Sequence, residues 1–85
     1  MSSSDWPVLE LRVTAEPDSG AIARVLERFQ NQNVLPRRVV VQQASDGTVH
    51  MEIEVSGLSE ETLNLIAGKI AQVPCIMNAY WYRRV

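Results

Sequence analysis

Four stretches of this chain bring functional groups close enough together to do chemistry. Asp18-Ser19-Gly20 gathers a carboxylate, a hydroxyl and a glycine at one turn. A chain passing there from strand to helix leaves backbone N–H groups unpaired, and such a spot can receive a carboxylate or phosphate. His50, Glu52 and Glu54 follow one another at intervals of two, which puts them on one face of a strand. Paired carboxylates are the material of general acid–base catalysis, and a histidine beside them could begin a metal site. Tyr80-Trp81-Tyr82 runs into Arg83-Arg84, a mixture of stacking surface and positive charge that suits single-stranded RNA. Cys75 is the only thiol.

Each stretch also has a plainer explanation. Helix capping alone accounts for Asp18 or Ser19, and Gly20 can serve a tight helix entry. His50 has no further ligand at metal-binding spacing, so it reads as a surface residue. Glu52 and Glu54 sit on an open sheet face rather than in a cleft, where Arg12 could neutralise one of them across the strands. Only Tyr80 and Tyr82 share a face, and glutamates crowd it. Cys75 can form no internal disulfide, and nothing around it has metal-ligand spacing. The turn at Gly20 therefore carries the functional reading.

The elements that must position it follow from periodicity. Leu9, Leu11 and Val13 alternate with Glu10, Arg12 and Thr14, the pattern of a strand with one wet face. After the break Glu16 to Gly20, Ile22, Val25, Leu26 and Phe29 recur at helical spacing, with Arg24, Glu27 and Arg28 opposite. The polar run Gln30 to Asn33 ends that helix, with asparagine suited to a left-handed cap. Val34-Leu35-Pro36 leads into a second strand over Arg37 to Ala44, and Asp46-Gly47 marks a hairpin. Val49, Met51, Ile53 and Val55 form the inner face of a third strand. Ser59 caps a second helix whose inner stripe is Leu63, Ile66, Ala67 and Ile70, and Pro74 stops it. A last strand spans Cys75 to Arg83; its alternation leaves open which side faces inward. The order β-α-β-β-α-β, with a hairpin in the middle, predicts a ferredoxin-like α+β sandwich, a four-stranded antiparallel sheet with two helices on one face.

At 85 residues the chain makes one domain that buries about 60–65% of its unfolded surface. Residues 1–7 read as a tail and 8–85 as a single domain. The fractions of 46% hydrophobic and 21% charged residues are those of a soluble globular protein. A net charge of −2 and a pI of about 5.2 offer no general attraction for nucleic acid or anionic membrane. No signal peptide and no apolar span long enough for a membrane is evident, so a cytoplasmic, reduced setting is expected. The second strand, with Val39-Val40-Val41, falls at a sheet edge apolar on both sides, which suggests a symmetric partner.

The series LRVTAEPDSGAIARVLERF, NVLPRRVVV and HMEIEV resembles the ACT domain. More narrowly, it is similar to the short type of small regulatory subunit of acetolactate (acetohydroxyacid) synthase. The likeness runs from about Leu9 to Tyr82. It implies a non-catalytic regulatory protein that dimerises side by side and docks on the catalytic subunit of that enzyme. A branched-chain amino acid would bind at the dimer interface. The chain itself would carry no cofactor; thiamine diphosphate, flavin and magnesium would belong to the catalytic partner. By the same resemblance Gly20 matches the family's turn glycine, and Val34 and Leu35 match residues that approach it from the partner. The implied ligand-binding set is Asp18, Ser19, Gly20, Ala21, Ile22, Val34 and Leu35. The family turn usually reads Asn-x-Pro-Gly or Asp-x-Pro-Gly, whereas here it is Pro17-Asp18-Ser19-Gly20. With one more residue in the loop, Asp18 supplies the acidic group, suited to an ammonium. The alternatives are a free-standing ACT domain sensing another small molecule and an acylphosphatase-like enzyme. The latter needs an arginine in the loop after the first strand, and Asp18 and Ser19 stand there instead.

Overall fold

The computed structural model describes residues 7–84; the expected tail, and the lead-in at Trp6, lie outside that range. The element order is β1 (Val8–Ala15), α1 (Ala21–Asn31), β2 (Arg38–Gln43), β3 (Val49–Ser56), α2 (Glu60–Ala71) and β4 (Ile76–Arg83). The strands form one antiparallel sheet in the order β2-β3-β1-β4, with β2 and β4 at the edges. With both helices against one face, this is the expected ferredoxin-like sandwich.

The junctions follow from local chemistry. Asn33 takes the left-handed conformation (φ 55°) and donates its N–H to the Gln30 carbonyl at 2.9 Å, closing α1. At the hairpin Gly47 has φ 91°, which glycine adopts without a Cβ clash. The Asp46 carboxylate accepts from the Thr48 N–H at 2.9 Å, and that bond holds the carboxyl below its ordinary range. Ser59 caps α2, its Oγ accepting from the Thr62 N–H at 3.1 Å.

The core lies between the sheet and the helices. Leu9, Leu11 and Val13 of β1 and Met51, Ile53 and Val55 of β3 meet Val25 and Phe29 of α1 and Leu63, Ile66 and Ile70 of α2. Each large side chain contributes roughly 1.5–3 kcal/mol when fully buried. The structure departs from the periodicity in α1 and decides what it left open in β4. The buried stripe of α1 is Ala21, Val25 and Phe29, a straight four-residue row, whereas Ile22 stands 38% exposed and Leu26, one turn further along the same row, is partly buried against the core. In β4, neither alternating set keeps to one face throughout. Thr14 pairs with Asn78 but Ala15 pairs with Ile76, so the ladder skips Met77 at a bulge. Met77 is left exposed, and Ile76 joins Ala79 and Trp81 against the core.

The outer face is not uniformly wet, contrary to the simple alternation. Glu10 and Glu54 are ladder partners there, yet only 4% and 8% exposed. Arginines cover them. Arg12 bonds Glu10 rather than Glu52 across the strands, Arg84 reaches Glu54 at 2.6 Å, and Arg38 reaches Glu54 at 3.3 Å. Arg12 also donates to the Tyr82 hydroxyl at 3.0 Å and lies 5.6 Å from the centre of its ring. Two adjacent buried carboxylates would be costly alone; the guanidinium roof makes them tenable.

Burial on its own would raise the Glu10 carboxyl. Hydrogen bonds with Arg12 and Tyr82, and the charges of Arg12 and Arg84, outweigh it and hold the group below its ordinary value of 4.5. A lowered carboxyl stabilises the fold above its unfolded pKa and ceases to as pH falls through the folded one. Chemical denaturation at a series of pH values should therefore show Glu10 stabilising the native chain above about pH 5. That contribution fades below pH 4.5. In Glu10→Gln the acid limb should be shallower; an unchanged slope would mean that the carboxylate is not paired in solution.

Candidate functional site

Five of the anticipated ligand residues come together where β1 turns into α1. Asp18 organises the turn: its Oδ1 accepts from the Gly20 N–H at 2.8 Å and its carbonyl accepts from the Ala21 N–H at 3.0 Å. Its other carboxylate oxygen lies 3.7 Å from Arg24 Nη1. The Gly20 N–H, a donor suited to an incoming anion, is thus held by the chain's own carboxylate. Gly20 has φ −88°, so it does not use glycine's left-handed freedom. A Cβ there would lie 3.4 Å from the Asp18 carboxylate and 3.6 Å from Arg24, ordinary contact distances. Ser19 is exposed, Ala21 buried and Ile22 partly exposed.

Val34 and Leu35 follow the opposite end of α1, which at 11 residues is about 16 Å long. Within one chain they do not meet the turn. They form instead one wall of an open groove of about 780 Å³ beside α1, lined by Arg24, Leu26, Phe29, Val34, Leu35 and Val39 among others. The groove exists because β2 is an edge that the helices leave bare. Val39 and Val41 share a sheet side with their buried ladder partners Ile53 and Met51, yet remain 39% and 38% exposed. Leu35 is 90% exposed. Arg24 joins the two regions, paired with Asp18 and lining the groove. Chemically the arrangement offers a carboxylate, a guanidinium and an adjoining apolar trough, the three features of an apolar α-amino acid's complement.

The other candidates do not gather into a site. Glu54 is taken up by arginines, and among the described residues no group of His, Cys, Asp or Glu is arranged to hold a metal ion. Cys75 is buried. No helix of the described residues is long and apolar enough to cross a membrane.

The sequence pattern of the ACT-like domain matches residues 5–83. The chain belongs to that family. No curated protein matches it. Among solved structures the domain is similar to the C-terminal domain of the MgtC protein from Mycobacterium tuberculosis, at 15% identity, TM-score 0.78, covering 99% of this chain and 94% of that one. It is likewise similar to the ACT domain of a GTP pyrophosphokinase from Chlorobium tepidum, at 14% identity and TM-score 0.77, covering 91% and 99%. A homoserine dehydrogenase from Thiobacillus denitrificans contains the same fold in 17% of its length, against 92% of this chain, at 15% identity and TM-score 0.73. At such identities the likeness is one of fold. ACT domains are typically regulatory and sense amino acids.

Arg24, Leu26, Phe29 and Val39 line the groove but stand outside the ligand set that the resemblance implied. A signal existed for Arg24: it stands one helical turn after Gly20 and opposite in charge to Asp18. Val39 was marked only as part of an apolar sheet edge; that it also lines the groove depends on where the helices lie.

Proposed function

We propose that this ACT-like domain is a non-catalytic regulatory protein that works as a homodimer paired through β2 and binds an apolar amino acid beside α1. The observation that carries this reading is Arg24, which reaches both the Asp18 carboxylate and the apolar groove. An amino acid would set its ammonium against Asp18 and its carboxylate against Arg24, with its side chain among Leu26, Val34 and Val39. In a dimer joined at β2, Val34 and Leu35 of one copy would close the turn region of the other. Gly20 has an ordinary φ of −88° and room for a Cβ, so the single chain's backbone does not require glycine there. The narrower reading, from the sequence resemblance, is the small regulatory subunit of acetolactate synthase. Effector binding would then bias its contact with the catalytic subunit, a coupling usually worth about 1–3 kcal/mol.

Thermal melting with valine, leucine and isoleucine tests the site. At a hundredfold excess over the dissociation constant, a ligand stabilises by about 2.7 kcal/mol, a rise of order 10 °C for so small a domain. Arg24→Ala and Asp18→Asn should abolish that rise while leaving the unliganded melt within a few degrees, since the asparagine can still accept from the Gly20 N–H. A melt unmoved by all three amino acids defeats the effector reading. Co-purification with the catalytic subunit of acetolactate synthase tests the narrower one. Absence of both a complex and activation would favour a free-standing domain that senses another small molecule.

A further inference from the structure

The turn that carries Asp18 leaves the sheet between two other connections. Ala15, the last residue of β1, pairs with Val49 at the start of β3 on one side and with Ile76 at the start of β4 on the other. On the β4 side the turn is tied by a backbone bond, the Glu16 N–H donating to the Cys75 carbonyl at 2.8 Å. On the β3 side the contact is one of packing. Pro17 lies over Gly47 at the tip of the β2–β3 hairpin: a Cβ placed on Gly47 would stand 3.2 Å from Pro17 Cβ and 3.4 Å from Pro17 Cγ. Carbon atoms pack best at about 3.5–4.0 Å, so a side chain there would push the ring away. The seat itself is fixed by its own hydrogen bonds. Gly47 donates its N–H to the Ala44 carbonyl at 2.9 Å, Ala44 donates to the Thr48 carbonyl at 2.8 Å, and the Gln43 amide donates to the Gly47 carbonyl at 3.3 Å. The positive φ of Gly47 accounts for the glycine. It does not account for a proline ring from another connection laid against it.

We propose that Pro17 is a positioning residue for the effector site: seated on Gly47, it fixes where Asp18 presents its carboxylate beside Arg24. This rests on the reading that an amino acid binds at Asp18 and Arg24, and adds to it a residue outside the implied ligand set and a second connection, the hairpin. Proline has a fixed φ and no spare rotation about that bond. Little backbone freedom therefore separates the seat from Asp18, the next residue. The other restraints on that carboxylate are local and wet. Asp18 Oδ1 accepts from the Gly20 N–H within the same turn, and its ion pair with Arg24 joins side chains 40% and 50% exposed, a pairing that by itself holds little. The Pro17 seat supplies what these lack, an anchor on a different part of the fold. A group held in its bound position before the ligand arrives loses less freedom on binding, which raises affinity.

A double-mutant cycle tests the contact. Gly47→Asn adds a side chain at the seat, and asparagine tolerates the left-handed backbone better than most residues. Pro17→Gly removes both ring atoms that would meet it. In the isotope-labelled full chain, Gly47→Asn should shift the amide resonances of Asp18, Gly20 and Ala21. The same substitution made in the Pro17→Gly background should shift them by less than half as much. Affinity for valine, leucine and isoleucine, read from the melting shift, should fall roughly tenfold in either single variant and no further in the double, with far-ultraviolet spectra matching the parent's. Turn resonances unmoved by Gly47→Asn, or moved equally in both backgrounds, would overturn the seat. Shifts that follow the cycle with no loss of affinity would overturn the positioning role. A parent whose melt no amino acid moves would defeat the effector reading and with it any role toward a ligand, while the resonance cycle would still decide whether the hairpin holds the turn.

Discussion

Val39→Lys combined with Val41→Lys is expected to convert a dimer into a folded monomer. Both valines lie on the helix side of β2 and are more than one-third exposed, so in the single chain the lysines can extend into solvent along their aliphatic stems. Across a two-fold axis at β2 the same change removes four apolar side chains and faces positive charges against one another. At about 1 kcal/mol lost per partly buried valine, the dissociation constant should rise about a thousandfold before repulsion is added. Sedimentation at micromolar concentration checks it: the parent should run as a dimer of a 9.5 kDa chain and the variant as a monomer. The far-ultraviolet spectrum of the variant should match the parent's. A parent that is monomeric at millimolar concentration, or a double variant still dimeric, would show that β2 is not the joining edge.

Phe29→Ala is expected to cost about 3–5 kcal/mol. The ring is 1% exposed and anchors the last turn of α1, where the Phe29 carbonyl also accepts from the Val34 N–H at 2.9 Å. A domain of this length has roughly 4–13 kcal/mol in all, so the variant should melt at least about 15 °C lower. Ile22→Ala on the neighbouring row, partly exposed, should cost much less. Because Phe29 also lines the groove, Phe29→Leu is the informative companion. It should keep most of the stability while altering which amino acid protects the chain against melting. If Phe29→Ala melts within a few degrees of the parent, α1 is not seated as described.

The polar side of the sheet shows where local reading stops. Alternation placed Glu10 and Glu54 on the outer face, correctly, because the side a strand residue faces depends only on its position in the pleat. Whether such a residue meets water depends on what arrives from elsewhere in the chain. Arg84 comes from a position 30 residues beyond Glu54, and no period in either segment announces the meeting. The bulge at Met77 is similar: it arises from the fit of β4 to β1, and it reverses the inward set over two residues.

What the sequence determined alone was the order of elements, the inner faces of β1 and β3, the caps at Asn33 and Ser59, and the turn around Gly20. These rest on interactions within a few residues or on a repeating pattern, both of which are written locally. Only the tertiary structure decided that the helices leave β2 bare, that Arg24 bridges Asp18 and an apolar groove, and that three arginines roof two buried acids. Those features are set by the lateral placement of helices on a twisted sheet, which depends on the packing of the whole core and has no local signature.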